Sequence, residues 1–375
     1  MKEYPFLDLA LSNVPLMEEL EDAANRVIRS GRYLRGEQTA LLEQELAQQC
    51  EVKHCIAVSN GLDALRLILR AYKEMGILHE DEKVIVPANT YVATVLAVSD
   101  NALVPCLCEP REDTMNMNSD YIESLLSPTV KAIMPVHLYG TPCWDDKMVK
   151  IAKHYNLKII EDNAQAIGAK ANATGINGTR TTGGLGDAAA LSFYPTKNLG
   201  AMGDAGAVMT NDDDLAATVR AIANYGSDYR YHNVYLGLNC RIDEIQAAML
   251  LVKLKYLPQE TARRQQLART YEENIDHELV KTPAIFDDMV QVWHQYVVRV
   301  KNRDAFRDYL KGHGVATDVH YATPPHLQPC YRQFKSYKLP ITQSLAQEVV
   351  SLPIAHPIDV ESVKEISQII NNYQG

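Results

Sequence analysis

No apolar run in this chain approaches the roughly 18 residues that a membrane helix requires, so no membrane partner is expected. The opening Met1-Lys2-Glu3-Tyr4-Pro5 does not begin a signal peptide. Cysteine is sparse: the seven residues are an odd number without CxxC spacing, which excludes a disulfide framework and implies free thiols in a reducing cytoplasm. Cys106 and Cys108 fall on one face of a strand, but no histidine or further cysteine stands near them, so they read as core packing. The eleven histidines show no H-E-x-x-H or other close metal spacing, and no catalytic metal is expected. Basic residues are in deficit, and the net charge of -10 argues against a nucleic-acid partner, which would need a basic face. A small anionic ligand needs only a local basic pocket and is not excluded. Internal repeats and low-complexity tracts are absent.

What is present is an ordinary soluble composition, with 46% hydrophobic and 22% charged residues, on a chain of 375 residues that is long enough for two domains. Residues 14–30 read as an N-terminal helix. Apolar strands then alternate with helices to about residue 235, which predicts an α/β fold with a largely parallel sheet covered on both faces. Residues 242–257 read as a long helix with Ile245, Ala248, Met249, Val252 and Tyr256 on one stripe. Beyond Pro258 the pattern changes: residues 290–300 alternate like a half-exposed strand, and residues 303–312 and 366–373 read as helices. The division is a large domain over 1–252 and a smaller α+β domain over 253–375. Asp212-Asp213-Asp214 reads as the N-terminal cap of a helix over 215–224.

The chemistry is carried by Lys197, in Ser192-Phe193-Tyr194-Pro195-Thr196-Lys197-Asn198-Leu199-Gly200, and by Asp162, in Ile159-Ile160-Glu161-Asp162-Asn163-Ala164-Gln165. A lysine amine with a lowered pKa can hold the aldehyde of pyridoxal 5'-phosphate as a Schiff base. An aspartate at the pyridine nitrogen keeps that ring protonated and therefore an electron sink. Each residue follows a short apolar run, as a site at the carboxyl end of buried parallel strands would require. The segment 56–69 runs from a strand through a glycine turn into a helix, which puts the backbone N–H groups of Gly61 and Leu62 at a helix N-terminus suited to phosphate. An ordinary strand-to-helix turn would look the same. Ser192 can add a hydroxyl to that phosphate. Tyr91, just past the apolar run 84–86, is either a ring to stack on the pyridine or a half-buried core residue.

Six motifs in register extend this pattern: 59–65, Pro-Val-His-Leu-Tyr-Gly at 135–140, 161–168, 192–200, Gly-x-Asn-x-Arg at 237–241 with its continuation to 248, and Val-His-Tyr at 319–321. Together they resemble the DegT/StrS family of nucleotide-sugar aminotransferases over nearly the whole chain. The resemblance implies the fold type I architecture of pyridoxal-phosphate enzymes. It also implies Lys197 as the Schiff-base lysine, Asp162 at the ring nitrogen, Gln165 near the ring hydroxyl, Tyr91 on the ring face, and Ser192 with the Gly61 and Leu62 amides on the phosphate. Asn239 would reach the phosphate of a neighbouring subunit's cofactor, which implies a homodimer with active sites at the subunit interface. One departure is Leu62, where the family commonly has threonine; this should weaken phosphate binding without abolishing it.

The implied reaction moves an amino group from L-glutamate to a nucleotide-linked keto sugar, with Lys197 carrying the proton between Cα and C4'. The wording of 162–168 and 198–206 is closest to enzymes that aminate C3 of a dTDP-3-keto-6-deoxyhexose. Amination at C4, or of a UDP or GDP sugar, stays open, as does a non-catalytic regulator that binds the cofactor. A sugar dehydratase of this fold would replace Lys197, typically with histidine. Arg230, Tyr231 and His232 could meet a diphosphate, and His320 with Tyr321 could line the sugar; each also fits a surface loop. Two rival motifs fail on context. Gly184-Leu185-Gly186-Asp187-Ala188-Ala189 matches a dinucleotide fingerprint, but it follows a polar run, 173–182, and precedes a strand. Glu161 and Asp162, adjacent on a strand, point to opposite faces and cannot share a substrate.

Overall fold

The computed structural model describes residues 2–172 and 179–375. Its first strands are β1 (His54–Val58), β2 (Lys83–Pro87), β3 (Val104–Cys108), β4 (Val130–Ile133) and β5 (Lys158–Asp162), followed by β6 (Lys170–Asn172), β7 (Thr179–Thr181), β8 (Ala188–Ser192) and β9 (Gly206–Thr210). A seven-stranded sheet has the order β1-β9-β8-β5-β4-β2-β3. The pairs from β8 through β3 are parallel, while β9 runs antiparallel to both of its neighbours. Part of the polar run 173–182 lies outside the described residues; its end, β7, pairs with β6.

The two faces of the sheet follow from the period-two alternation of strand side chains. Ile56 and Val58 of β1 and Ala188 and Ala190 of β8 join a cluster with Leu65, Ile68 and Leu69 of the helix Gly61–Glu74. Their neighbours Cys55, Ala57, Ala189 and Leu191 point the other way, against Leu42 and Leu46 of the helix Glu37–Gln49. With both faces covered, these strands read as unbroken apolar runs, which is why the sequence exposes them clearly. Cys108 is buried in a further cluster with Ile133 and Ile159, with Cys106 packed against it. The expected stripe Ile245, Ala248, Met249 and Val252 packs on Leu20, Ala23 and Val27 of the helix Met17–Ser30.

The C-terminal residues build a separate cluster around β12 (Tyr296–Arg299) and its antiparallel partner β13 (Val349–Leu352), numbered after the short hairpin strands β10 (Ser227–Tyr229) and β11 (His232–Asn233). The helices Leu257–Asn274, Arg303–Gly312 and Val360–Asn371 cover this pair. Tyr4, from the other end of the chain, is buried here and bonds to Gly314 through backbone N–H.

Two expectations need correction. Residues 242–257 are not one helix: Glu244–Leu254 ends, and a new helix, Leu257–Asn274, starts with Pro258 in its first turn. Proline lacks the N–H that a helix interior uses and clashes with the carbonyl four residues back, but both are harmless at a helix start. The stretch 290–300 is not half-exposed either. Residues 291–298 are all buried, because Val292 packs on Ala166 and Ala169 and Val297 on Val136 and Leu138, while Trp293, Tyr296 and Val298 join the C-terminal cluster, and only 296–299 form a strand. The cap at Asp212 is as expected, its carboxylate accepting from the N–H groups of Asp214 and Leu215.

Glu161 occupies amides at the Gly184–Gly186 run. It points away from Asp162's face and is fully buried. Its carboxylate accepts from the N–H groups of Gly183 (2.7 Å), Leu185 (2.8 Å) and Gly186 (2.8 Å), so the amides that a phosphate would use are engaged. Nδ1 of His137 accepts from Cys143 N–H at 2.9 Å, which leaves Nε2–H to donate to Glu161 at 2.9 Å. Glu161→Ala would strand three amides and one imidazole N–H, and should lower unfolding free energy by about 3 kcal/mol. Urea unfolding measures this; a loss under about 1 kcal/mol would show that other contacts hold the loop.

Candidate active site

β5 and β8 are neighbours in the sheet and parallel, so their carboxyl ends open on the same edge. Asp162 is the last residue of β5, and Lys197 lies five residues past the end of β8. Asp162 is buried, with Oδ2 accepting from Thr94 Oγ1 at 2.7 Å and Oδ1 from Ala164 N–H at 3.2 Å. Burial raises its pKa; the two hydrogen bonds and the positive charge of Lys197 oppose that rise without cancelling it. Lys197 as a whole is half-buried, but its amine end lies deep enough that loss of hydration lowers its pKa to about 8, with Asp162 pulling the other way. The amine is therefore nucleophilic at far lower pH than a surface lysine.

The strand-to-helix turn at Gly61 has the expected form. Asn60 caps the helix Gly61–Glu74 by accepting from Asp63 N–H at 2.8 Å. The N–H groups of Gly61 and Leu62 have no hydrogen-bond partner among the described residues, so a helix N-terminus is open to an anion. Ser192 lies against this turn: a Cβ at Gly61 would sit 2.6 Å from Ser192 Cβ, so only glycine permits the approach. Leu62 packs its side chain against the apolar cluster around this helix.

Gln165 connects three parts of the site. Its Oε1 accepts from Tyr139 N–H at 2.6 Å, and its Nε2 donates to the Tyr321 hydroxyl at 3.1 Å. Tyr139 also donates its hydroxyl proton to the backbone oxygen of His320. The ring of Tyr321 lies 5.3 Å from that of Tyr91, which is 53% exposed and so has a face open to a ligand. His320 bonds through Nδ1 to Ser351 Oγ at 2.8 Å, and burial lowers its pKa.

The structure thus gathers Lys197, Asp162 and Gln165 with Tyr91, Ser192, His320 and Tyr321, and sets the Gly61 and Leu62 amides beside Ser192. It does not bring in Arg230, Tyr231 and His232. They occupy the β10–β11 hairpin, with Tyr231 86% exposed, Arg230 over the Tyr231 ring at 4.9 Å and His232 stacked on Tyr229 at 4.5 Å. Asn239 is exposed and bridges to Asn224. Sequence reasoning missed Thr94, Asn198 and His294 and gave Tyr139 no role. Asn198 and Tyr139 lay inside quoted motifs, whereas nothing local marks Thr94 or His294.

This donor set fits pyridoxal 5'-phosphate: a deprotonatable lysine, a buried carboxylate in want of a cation, and free amides for a phosphate. Comparison with known proteins agrees. The chain is 45% identical to the dTDP-3-amino-3,6-dideoxy-alpha-D-galactopyranose transaminase of Aneurinibacillus thermoaerophilus, over 98% of this chain and 99% of that one. It is 41% identical to the erythromycin biosynthesis sensory transduction protein EryC1 of Saccharopolyspora erythraea, over 97% and 98%. The crystal structure of S. venezuelae DesV in complex with a ketimine intermediate superposes with a TM-score of 0.93 at 38% identity, covering 99% of this chain and 98% of that one. The sequence model of the DegT/DnrJ/EryC1/StrS aminotransferase family matches residues 15–371, and the chain belongs to that family of pyridoxal-phosphate-dependent aminotransferases.

Proposed function

We propose that the protein transfers an amino group from L-glutamate to a nucleotide-linked keto-deoxysugar, at C3 of a dTDP-3-keto-6-deoxyhexose. The observation that carries the reading is the placement of Lys197 and Asp162 at one sheet edge, with free Gly61 and Leu62 amides on the same side of the fold. The 45% identity to a transaminase named for a 3-amino dTDP-sugar supports the choice of C3 and of dTDP. Bound pyridoxal phosphate supplies the electron sink that makes the proton at Cα removable.

The chain's own residues do the rest. Lys197 would hold the cofactor and, once displaced by the donor, would carry the proton between Cα and C4', for which a pKa of about 8 suits it. Asp162 faces the ring nitrogen, and a cation there would restore the ionised carboxylate that burial disfavours. Gln165 sits at the ring hydroxyl and Tyr91 on the ring face. Ser192 and the Gly61 and Leu62 amides take the phosphate. His320 and Tyr321 line the sugar.

The assembly is a homodimer in which Asn239 reaches the partner's phosphate site and the hairpin carrying Arg230, Tyr231 and His232 meets the partner's diphosphate. Most exposed large hydrophobic residues lie in segments 9–41 and 225–236, with Tyr231 and Leu236 more than 80% exposed, as a covered surface would require. The C-terminal cluster, which runs from Leu267 onward and takes in Tyr4, supports a second domain, while the division at 252/253 falls inside the helix Glu244–Leu254. No helix among the described residues is long and apolar enough to cross a membrane, and the seven cysteines are free thiols, which supports a cytoplasmic setting.

Purified protein should show the absorption band of lysine-bound cofactor, lost on adding L-glutamate and regained with the dTDP-3-keto sugar. A band restored only by a 4-keto, UDP or GDP sugar would move the substrate assignment. A band that glutamate leaves untouched would favour a regulator. Lys197→Ala should fold, should not retain cofactor after borohydride reduction, and should lose roughly 10³-fold or more in transfer rate; normal turnover would remove Lys197 from its role. Leu62→Thr should tighten cofactor binding about tenfold by adding a hydroxyl at the phosphate. An unchanged dissociation constant would place the phosphate elsewhere.

A further inference from the structure

The loop that carries Lys197 is tied by side chains to a segment from the far end of the chain. Asn198 donates from Nδ2 to the backbone oxygen of Val292 at 2.8 Å, and its Oδ1 faces Nδ1 of His294 at 3.3 Å. The first bond fixes which end of the amide is oxygen. Nδ1 of His294 must therefore carry the proton, and Nε2 keeps a lone pair. The imidazole is buried and its backbone is held on two sides. Arg264 donates from Nη1 to the oxygens of Trp293 (3.0 Å) and His294 (3.3 Å), while Glu260 accepts from Arg264 Nε at 3.0 Å. On the other side Gly140, at φ +90, comes so close that a Cβ there would sit 2.8 Å from His294 N.

We infer that His294 is a positioning residue for Lys197: as a neutral donor to Asn198 it fastens the lysine loop to the 292–294 crosspiece and so keeps the Lys197 amine buried at the cofactor face. The inference rests on the assignment of Lys197 above and adds to it a residue that no sequence motif marks.

A neutral ring is what the surroundings demand. The charged and titratable groups that act on His294 are Lys197 from the loop, Arg264 from the helix Leu257–Asn274 and His320 from the Val-His-Tyr segment; with burial, all disfavour the imidazolium. Glu260 neutralises Arg264 and does not reach the ring as a hydrogen-bond partner. The lysine itself faces Asp162, which favours its charged form, so burial alone keeps the amine available. Any change that lets the loop rise exposes the amine, restores its hydration and raises its pKa toward the ordinary value of 10.5.

Asparagine places its Nδ2 where histidine has Nδ1, and glutamine places its Nε2 where histidine has Nε2. This pair of substitutions separates the two ring nitrogens. In cofactor-free protein, the pH profile of Lys197 trinitrophenylation by trinitrobenzenesulfonate, in which the amine displaces sulfite from the ring, read by peptide mapping, should have its midpoint at about 8. His294→Leu and His294→Gln should move that midpoint up by one unit or more, and His294→Asn should return it to the wild-type position. Should His294→Leu not fold, Asn198→Ala is the deciding variant and should show the same rise. An unmoved midpoint in His294→Leu or Asn198→Ala, or rescue by glutamine instead of asparagine, would overturn the inference. Failure of the underlying reading looks different: wild-type protein with added cofactor would then yield no borohydride-fixed cofactor on Lys197.

Discussion

The site depends on burying a lysine and a carboxylate at the same sheet edge without letting them collapse into an ion pair. Burial pushes both toward their neutral forms, Lys197 down to about 8 and Asp162 upward, and the attraction between them only partly resists this. No hydrogen bond joins them; Asp162 is held by Thr94 and Ala164 and the lysine by its loop. A pair kept apart in this way can accept a ligand between its members, whereas a closed salt bridge would have to be broken first. The desolvation that makes this possible is supplied by the surrounding fold, which is why so much of the chain serves to hold a few side chains in place.

Two buried glutamates show how that holding is done. Glu161 gathers the amides of the loop before β8 from the face of β5 opposite Asp162, and so fixes where β8, and beyond it Lys197, must run. Glu244 accepts from the N–H groups of Gly36, Gln38 and Thr39 and caps the helix Glu37–Gln49 from a distant part of the chain. Both carboxylates are almost fully buried. Each turns unsatisfied amides into a tertiary contact, a stronger constraint on loop geometry than apolar packing, which has no direction. A third network runs from Tyr139 through Gln165 to Tyr321, whose ring lies beside that of Tyr91.

The fold was largely legible because its central strands are buried on both faces and its helices carry single apolar stripes, so the periodicities stand out. Where reading failed, the cause was tertiary. The helix break at residues 255–256 depends on a proline being tolerated at a helix start, and the burial of 291–298 depends on what the crosspiece is wedged between. The candidate site was legible to the extent that its residues sit in compact motifs. Thr94 and His294 were not legible, because each matters only through a partner more than 60 residues away.

By itself the sequence determined the alternation of strands and helices, the residue types that a pyridoxal-phosphate site requires, and a glycine turn that opens the helix at Gly61 with Leu62 after it. These are local properties, set by periodicity and by the chemistry of single side chains. Tertiary structure alone decided that β5 and β8 lie side by side, that Glu161 faces a loop and not a substrate, and that His294 meets Asn198 in the Lys197 loop. Such facts depend on strand order and on the direction of side chains across the core, and no local stretch of sequence encodes a contact between distant surfaces.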